Sequence, residues 1–300
     1  MTRVPPRVLV IGRTGQLAQA LAAQARPNVQ LLGRPEIDLA APPTLQRALD
    51  QVAPDAVINA GAYTSVDGAQ SDAAAAFAAN RDGPGELASL CAARGIPLIH
   101  VSTDCVFDGA KLSPYEPQDL PAPLSVYGQS KWEGEQAVAS NCPAHLIVRV
   151  SWVFSEFAGS FVRTMLGLAR TRDEVTVVCD QVGFPTYCPD IARSLLQMAD
   201  AACRPGFRAF GTYHIAGAEA VNRAEMARLV FAESEAVGGP VARVNPVPTS
   251  EYPTPAGRPL NARLCSKTAV ETFGLEMPGW RLGLKATVRS LVREMKAASD

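Results

Sequence analysis

Tyr127 and Lys131 stand four residues apart in Tyr127-Gly128-Gln129-Ser130-Lys131, downstream of the run Ser102-Thr103-Asp104-Cys105-Val106-Phe107-Asp108-Gly109. On a helix, a spacing of four brings two side chains to one face. A phenol beside an ammonium gives up its proton more readily, so such a pair can donate and accept a proton near neutral pH. Thr103 would add a hydroxyl beside the same substrate oxygen. Together the three form a proton-transfer set for a carbonyl or an alcohol. The spacing alone is common on solvated helix faces, so the elements that position these residues decide whether it means anything.

The apolar run 96–101 reads as a buried strand, with its core at 97–101. Residues 102–104 then fall at its carboxyl end, where open α/β sheets place ligands. The segment 132–138 has helical periodicity and carries the Tyr-Lys pair into a helix. Upstream, Val8-Leu9-Val10-Ile11 is a short apolar strand followed by Gly12-Arg13-Thr14-Gly15-Gln16-Leu17-Ala18 and a helical pattern over 17–25. Strand, glycine turn and helix form the context of a dinucleotide site. Gly12 permits the tight turn, and Gly15 lets a pyrophosphate approach the helix N-terminus. A second strand, 29–32, ends in Gly33-Arg34, where an NAD site usually has an acid; Arg34 suits a 2′-phosphate, although Glu36 and Asp38 follow closely. A third strand, 56–59, ends in Ala60-Gly61-Ala62-Tyr63-Thr64, a turn of small residues able to line a cofactor.

Helical patterns at 45–52, 72–80 and 85–94 alternate with these strands, and a fifth strand is expected at 145–150, ending in Ser151-Trp152-Val153-Phe154. The alternation predicts an α/β protein, a Rossmann-type doubly wound parallel sheet with a smaller, C-terminal substrate-binding lobe. Residues 1–155 are assigned to the NAD(P)-binding part, with 187–217 returning to it; 156–186 and 218–300 mainly build the lobe. Within these stretches the pattern predicts helices at 160–169, 189–201, 223–235 and 284–298. It places strands at 175–178 and 211–216, the latter rejoining the main sheet, and a proline-dense segment at 240–259.

Three hundred residues can bury a substantial core. With 28 basic and 29 acidic side chains there is no basic surface that would point to nucleic acid. No apolar run approaches membrane-spanning length. The seven cysteines are scattered and contain no CxxC, which fits a reducing cytoplasm. The N-terminal stretch 1–7 lacks the apolar core of a signal peptide. His100, His145 and His214 lie in apolar runs without ligand spacing, so no metal site is expected. Ser102 has no nearby histidine, and a hydrolase triad is not indicated.

Five runs carry a closer resemblance: Val10 to Leu17, Asn59-Ala60-Gly61-Ala62-Tyr63-Thr64-Ser65-Val66-Asp67, Ser102 to Gly109, Tyr127 to Lys131, and Arg258-Pro259-Leu260-Asn261-Ala262-Arg263-Leu264. In order, and over nearly the whole chain, they resemble the dTDP-4-dehydrorhamnose reductases, a branch of the extended short-chain dehydrogenase/reductases. The resemblance implies Thr103, Tyr127 and Lys131 as the catalytic set. Gly12, Gly15, Gln16, Leu17, Ala62 and Tyr63 would hold the cofactor with Tyr127 and Lys131; Arg34, Asp38, Leu39 and Ala60 are added at the ends of the second and third strands. Thr103, Asp104, Val106, Tyr127, Trp152, Arg258, Asn261 and Arg263 would meet the sugar nucleotide. The implied reaction is NADPH-dependent reduction of the C4 ketone of dTDP-4-dehydro-6-deoxy-L-mannose to dTDP-L-rhamnose, with NADH an open alternative and a homodimer left open. Two positions depart from the family's habit: Cys105 stands where tyrosine is common, and Ala18 where glycine is.

Two rivals remain at this stage. A similar protein serves as a non-catalytic, NADP-binding regulatory subunit of methionine adenosyltransferase, against which the intact Thr103, Tyr127 and Lys131 argue. A sister nucleotide-sugar reductase or epimerase would share the fold.

Overall fold

β1 (Val8–Ile11) is buried at all four residues, the pattern of a parallel strand covered on both faces. It opens a computed structural model that describes residues 5–298; residues 1–4, part of the N-terminal stretch discussed above, and 299–300 lie outside the described residues. The chain continues through α1 (Gln16–Ala23), β2 (Val29–Leu32), α2 (Pro42–Val52), β3 (Ala56–Asn59), α3 (Gly68–Ser71) and α4 (Ala73–Phe77). A π-helical turn (Ala78–Asp82) leads into α5 (Gly83–Ala93), then β4 (Leu98–Thr103), α6 (Val126–Asn141) and β5 (His145–Val150). Next come β6 (Val153–Phe154), α7 (Phe161–Ala169), β7 (Glu174–Val178), β8 (Val182–Gly183), β9 (Thr186–Tyr187), α8 (Cys188–Ala202) and β10 (Gly211–Ile215). The last elements are β11 (Val221–Asn222), α9 (Arg223–Glu235), β12 (Arg243–Val247), β13 (Asn261–Ala262), α10 (Lys267–Phe273) and α11 (Trp280–Ala297).

Six strands form one parallel sheet in the order β2-β1-β3-β4-β5-β10. From β1 the chain goes to one side for β2 and to the other for β3, so strand order reverses between β1 and β3. That reversal opens a crevice at the carboxyl ends of these strands, the usual ligand position. Side chains of α1, α8 and α10 cover one face of the sheet, and those of α2, α5 and α6 the other. A separate apolar cluster joins α7, α9 and α11 over the β7–β12 pair. No helix among the described residues is long and apolar enough to cross a membrane.

Where element ends differ from expectation, local chemistry explains it. β4 runs on to Thr103 because Ser102 and Thr103 pair in register with Arg149 and Val150 of β5, polar residues notwithstanding. α6 begins before the apolar periodicity because the Ser125 hydroxyl accepts from the Gly128 N–H at 3.1 Å and caps the helix. It carries no clear apolar stripe, since Ser130, Lys131 and Glu135 are buried along with Val138. The two-residue strands β6, β8, β9, β11 and β13 and the helix α10 were not expected; pairings this short leave no periodicity to read.

Candidate active site

Thr103 ends β4, and Tyr127 and Lys131 occupy successive turns at the start of α6. All three are nearly buried, at 7%, 9% and 2% exposure. The Thr103 hydroxyl acts on the Tyr127 phenol, favouring its ionised form. It also lies 2.9 Å from Asp104 Oδ1 and accepts from the Cys105 N–H at 3.1 Å. Gly128 fits because a Cβ there would stand 2.2 Å from the Cys105 carbonyl, so α6 and the turn after β4 touch backbone to backbone. A second brace comes from Asn80 in the π-helical turn. Its amide bonds the Tyr63 N–H and carbonyl at 2.9 and 3.0 Å and the Ser130 hydroxyl at 3.0 Å. Asn80 thus joins the loop after β3 to the turn of α6 between Tyr127 and Lys131.

Burial sets the charges here. It pushes the Tyr127 phenol up, helped by Cys105 and Asp104 and opposed by Thr103. Lys131 is brought down to about 8 by burial, with Glu135 pulling the other way. Burial thus outweighs the lowering that the neighbouring Lys131 was expected to exert on the phenol. The lysine Nζ donates to the Val101 carbonyl at 2.8 Å and lies 3.5 Å from His100 Nε2. The Tyr127 proton is held tightly, as suits an acid that waits for a developing alkoxide. Asp104 is raised by burial, against the pull of the Ser151 hydroxyl at 2.8 Å, Thr103 and the Arg223 guanidinium.

The crevice beside this set has the properties a dinucleotide requires. Gly12 sits at φ +130° with its N–H on the Leu32 carbonyl at 2.7 Å, and a Cβ there would press on Ala18 and on the Ala60 backbone. Ala18 thereby fills the space a glycine would leave. Nothing lies within 4 Å of a Cβ built on Gly15, and no side chain caps α1. Its first N–H groups face open space, a fit for a diphosphate. Arg34 is exposed and makes no hydrogen bond or ion pair among the described residues, whereas Arg13 is paired with Glu36 at 2.9 Å. A cavity of about 730 Å³ lies instead at the amino ends of the strands, lined by Pro6, Pro54, Asp55 and Pro97, away from these residues.

The profile of the family described as RmlD substrate binding domain matches residues 6–293. The chain belongs to this family. It is 44% identical over 301 residues to a dTDP-4-dehydrorhamnose reductase of Sinorhizobium fredii strain NGR234, covering 97% of this chain and all of the relative. A dTDP-4-dehydrorhamnose reductase of Burkholderia thailandensis is 40% identical, covering 96% of this chain and all of that protein. Among solved structures, the dTDP-4-dehydrorhamnose reductase of Bacillus anthracis in complex with NADP superposes with a TM-score of 0.86 at 30% identity, covering 94% of this chain and 98% of that one.

Against this family background, the expected site residues divide. Thr103, Asp104, Tyr127, Lys131, Tyr63 and Cys105 converge at the carboxyl end of β4, with Trp152 and Arg258 on the far wall. Gly12, Gly15 and Ala60 line the crevice, with Ala62 in the loop after β3. Gln16 accepts from the Ser155 hydroxyl at 2.8 Å, and Leu17 packs on the main core. Asp38 accepts from the Ala40 N–H at 3.0 Å, while Leu39 is buried in the core between α2 and α5.

Three of the expected substrate residues have side chains engaged within the protein. The Val106 side chain is fully buried against Phe107, Tyr115 and Leu264. Asn261 donates to the Lys111 and Ser113 carbonyls at 2.6 and 2.9 Å and accepts from Arg263 Nε at 2.8 Å; Arg263 donates in turn to the Leu112 carbonyl. These two residues stitch the loop after Gly109 to β13, which occupies the Asn261 amide and part of the Arg263 guanidinium. The sequence reading missed Arg223, whose guanidinium stacks 3.5 Å from the Trp152 ring centroid and acts electrostatically on Asp104 and Cys105. It lies 71 residues from Trp152 in sequence, so no local pattern pointed to it. Glu135 was findable: it follows Lys131 by one helical turn.

Proposed function

We propose that this chain reduces the C4 ketone of dTDP-4-dehydro-6-deoxy-L-mannose to dTDP-L-rhamnose with NADPH, in the cytoplasm. The observation that carries it is the convergence of Thr103, Tyr127 and Lys131 at the carboxyl end of β4, beside a glycine turn open to a diphosphate. Family membership and the NADP complex of the Bacillus anthracis relative support the same reading.

A nicotinamide held in this crevice would supply the hydride for C4. The chain's own residues handle the oxygen. Thr103 turns its hydroxyl proton from Asp104 Oδ1 to the carbonyl and polarises it, and Tyr127 transfers its phenolic proton as negative charge develops there. Lys131 holds the nicotinamide ribose and compensates the phenolate left behind. Gly12, Gly15 and the N-terminus of α1 hold the diphosphate, with Arg34 on the 2′-phosphate. On the far wall, Trp152, Arg223 and Arg258 hold the sugar nucleotide; guanidinium groups suit its diphosphate. Arg258 is already tied to Asp67 at 3.0 Å, so Arg223 is the freer of the two cations.

The test is NADPH absorbance followed with dTDP-glucose and the upstream dehydratase and epimerase. Substrate-dependent oxidation is expected. Its absence, together with co-purification with a methionine adenosyltransferase, would favour a regulatory subunit instead; tightly retained NAD without net turnover would favour an epimerase.

A further inference from the structure

Asn59 and His100 are register partners in β3 and β4, fully buried beneath Lys131. The Gly61 backbone N–H can only donate, and it reaches Asn59 Oδ1 at 3.1 Å. That orients the amide, leaving Asn59 Nδ2 as the donor 3.1 Å from His100 Nδ1. His100 Nδ1 is therefore an acceptor and its proton sits on Nε2, which faces Lys131 Nζ at 3.5 Å. The other two histidines run the opposite way. His145 Nδ1 lies 2.7 Å from the Cys142 carbonyl and His214 Nδ1 lies 3.1 Å from that of Tyr115, so each carries its proton on Nδ1. His214 consequently turns a bare Nε2 toward Arg149 Nη1 at 3.5 Å. One buried cation is met by a lone pair, and Lys131 by an N–H.

An ammonium has three donors and no acceptor, whereas an amine has a lone pair that the His100 Nε2–H can fill. The oxygen that Lys131 bonds is the Val101 carbonyl. The titratable groups that face it are His100 from β4 and Glu135 from its own helix, and Glu135 is occupied by Arg149 and Ser102. We propose that Asn59 and His100 are positioning residues whose fixed hydrogen-bond polarity makes Lys131 change protonation state within the working pH range. The free site then alternates between phenol plus ammonium and phenol plus amine, and arrival of the anionic cofactor favours the former. This inference rests on the reading of Lys131 as part of the proton-transfer set.

The chain has five lysines and three histidines, so the experiment can be direct. Lysine labelled with ¹³C at Cε is titrated by NMR in the purified protein without nucleotide, with Lys131→Met to assign the signal. Lys131 is expected to titrate at about 8, apart from the other four lysine signals. Histidine ¹⁵N shifts should show one ring protonated on Nε2 and two on Nδ1. Asn59→Asp turns the donor into an acceptor, flips the His100 tautomer and should raise the Lys131 midpoint by about one unit or more. The added charge is controlled by Asn59→Asp combined with His100→Phe, in which most of that rise should vanish. Lys131 titrating with the other lysines, His100 protonated on Nδ1, or a full rise in the double variant would each overturn the proposal. If the Asn59 variants do not fold, the wild-type titration and tautomers decide alone. None of these readouts needs turnover, so failure of the reductase assay and failure here are separate results.

Discussion

Glu135→Ala would remove one half of an ion pair whose side chains are only 2–3% exposed. The carboxylate accepts from Arg149 Nη2 at 2.6 Å, from Arg149 Nε at 3.0 and 3.1 Å, and from the Ser102 hydroxyl at 2.5 Å. After its loss Arg149 keeps the Pro117 carbonyl at 3.2 Å and the faces of Phe107 and Trp132 at 5.0 and 5.9 Å. None of these neutralises the buried charge. Breaking a buried pair in this way costs about 3–5 kcal/mol, a large share of a folding free energy of about 5–15 kcal/mol. Urea unfolding followed by Trp fluorescence and circular dichroism measures it. Glu135→Leu combined with Arg149→Met removes both charges at similar volume and should recover most of the loss. Turnover should fall in the single variant as well, because Ser102 precedes Thr103 and Glu135 shares a helix face with Lys131. A loss under about 1 kcal/mol, the range of an exposed pair, or a double variant no better than the single, would refute the reasoning.

Tyr127→Phe keeps the ring but deletes the transferable proton, and kcat should drop about 10²-fold or more with NADPH binding kept; unchanged turnover would exclude it as the acid. Arg34→Asp should repel the 2′-phosphate and leave NADH comparatively intact, erasing a preference for NADPH of about tenfold that charge-assisted bonds can supply; kcat/KM for both cofactors in wild type and variant decides. Burial and the neighbouring Arg149 hold His214 down to about 3, and burial also holds His100 well below its usual value. The unfolded chain takes up these protons below about pH 6.5, so this contribution is complete above that pH and is lost as pH falls toward 3. At about 1.4 kcal/mol per unit, each histidine should cost ~2 kcal/mol by pH 5, read as a falling urea midpoint. His214→Gln should flatten that slope, and an equal slope in the variant would contradict the assignment.

The main sheet was legible because its strands are short apolar runs bounded by glycine turns, and each parallel strand is buried on both faces. The Tyr-Lys pair was legible because helical spacing is a local property. The substrate wall was less so. Asn261 and Arg263 belong to a recognisable run, yet the Asn261 amide and part of the Arg263 guanidinium are occupied by the 111–113 carbonyls, a long-range contact that no spacing reveals. The second half of Ser102 to Gly109 is scaffolding in the same sense. Phe107 stacks on Tyr115 at 4.1 Å, and Gly109, at φ +76°, leaves room for the Leu260 backbone. Arg223 reaches the site only because α9 begins beneath Trp152. Burial of Lys131 and Tyr127, which sets their protonation, depends on the whole fold.

The helix that carries Tyr127 and Lys131 is wedged by main chain: a Cβ on Gly128 would strike the Cys105 carbonyl at 2.2 Å, and one on Gly134 the Asn80 carbonyl at 1.9 Å. Carbonyl groups are the same whatever side chain they bear, so ordinary substitution of the neighbours cannot move the proton machinery. The opposite wall, built from the side chains of Trp152, Arg223 and Arg258, has no such insurance. Sequence drift therefore reaches the two halves of the site unequally: the chemistry is inherited with the backbone, while the choice of sugar is rewritten one side chain at a time.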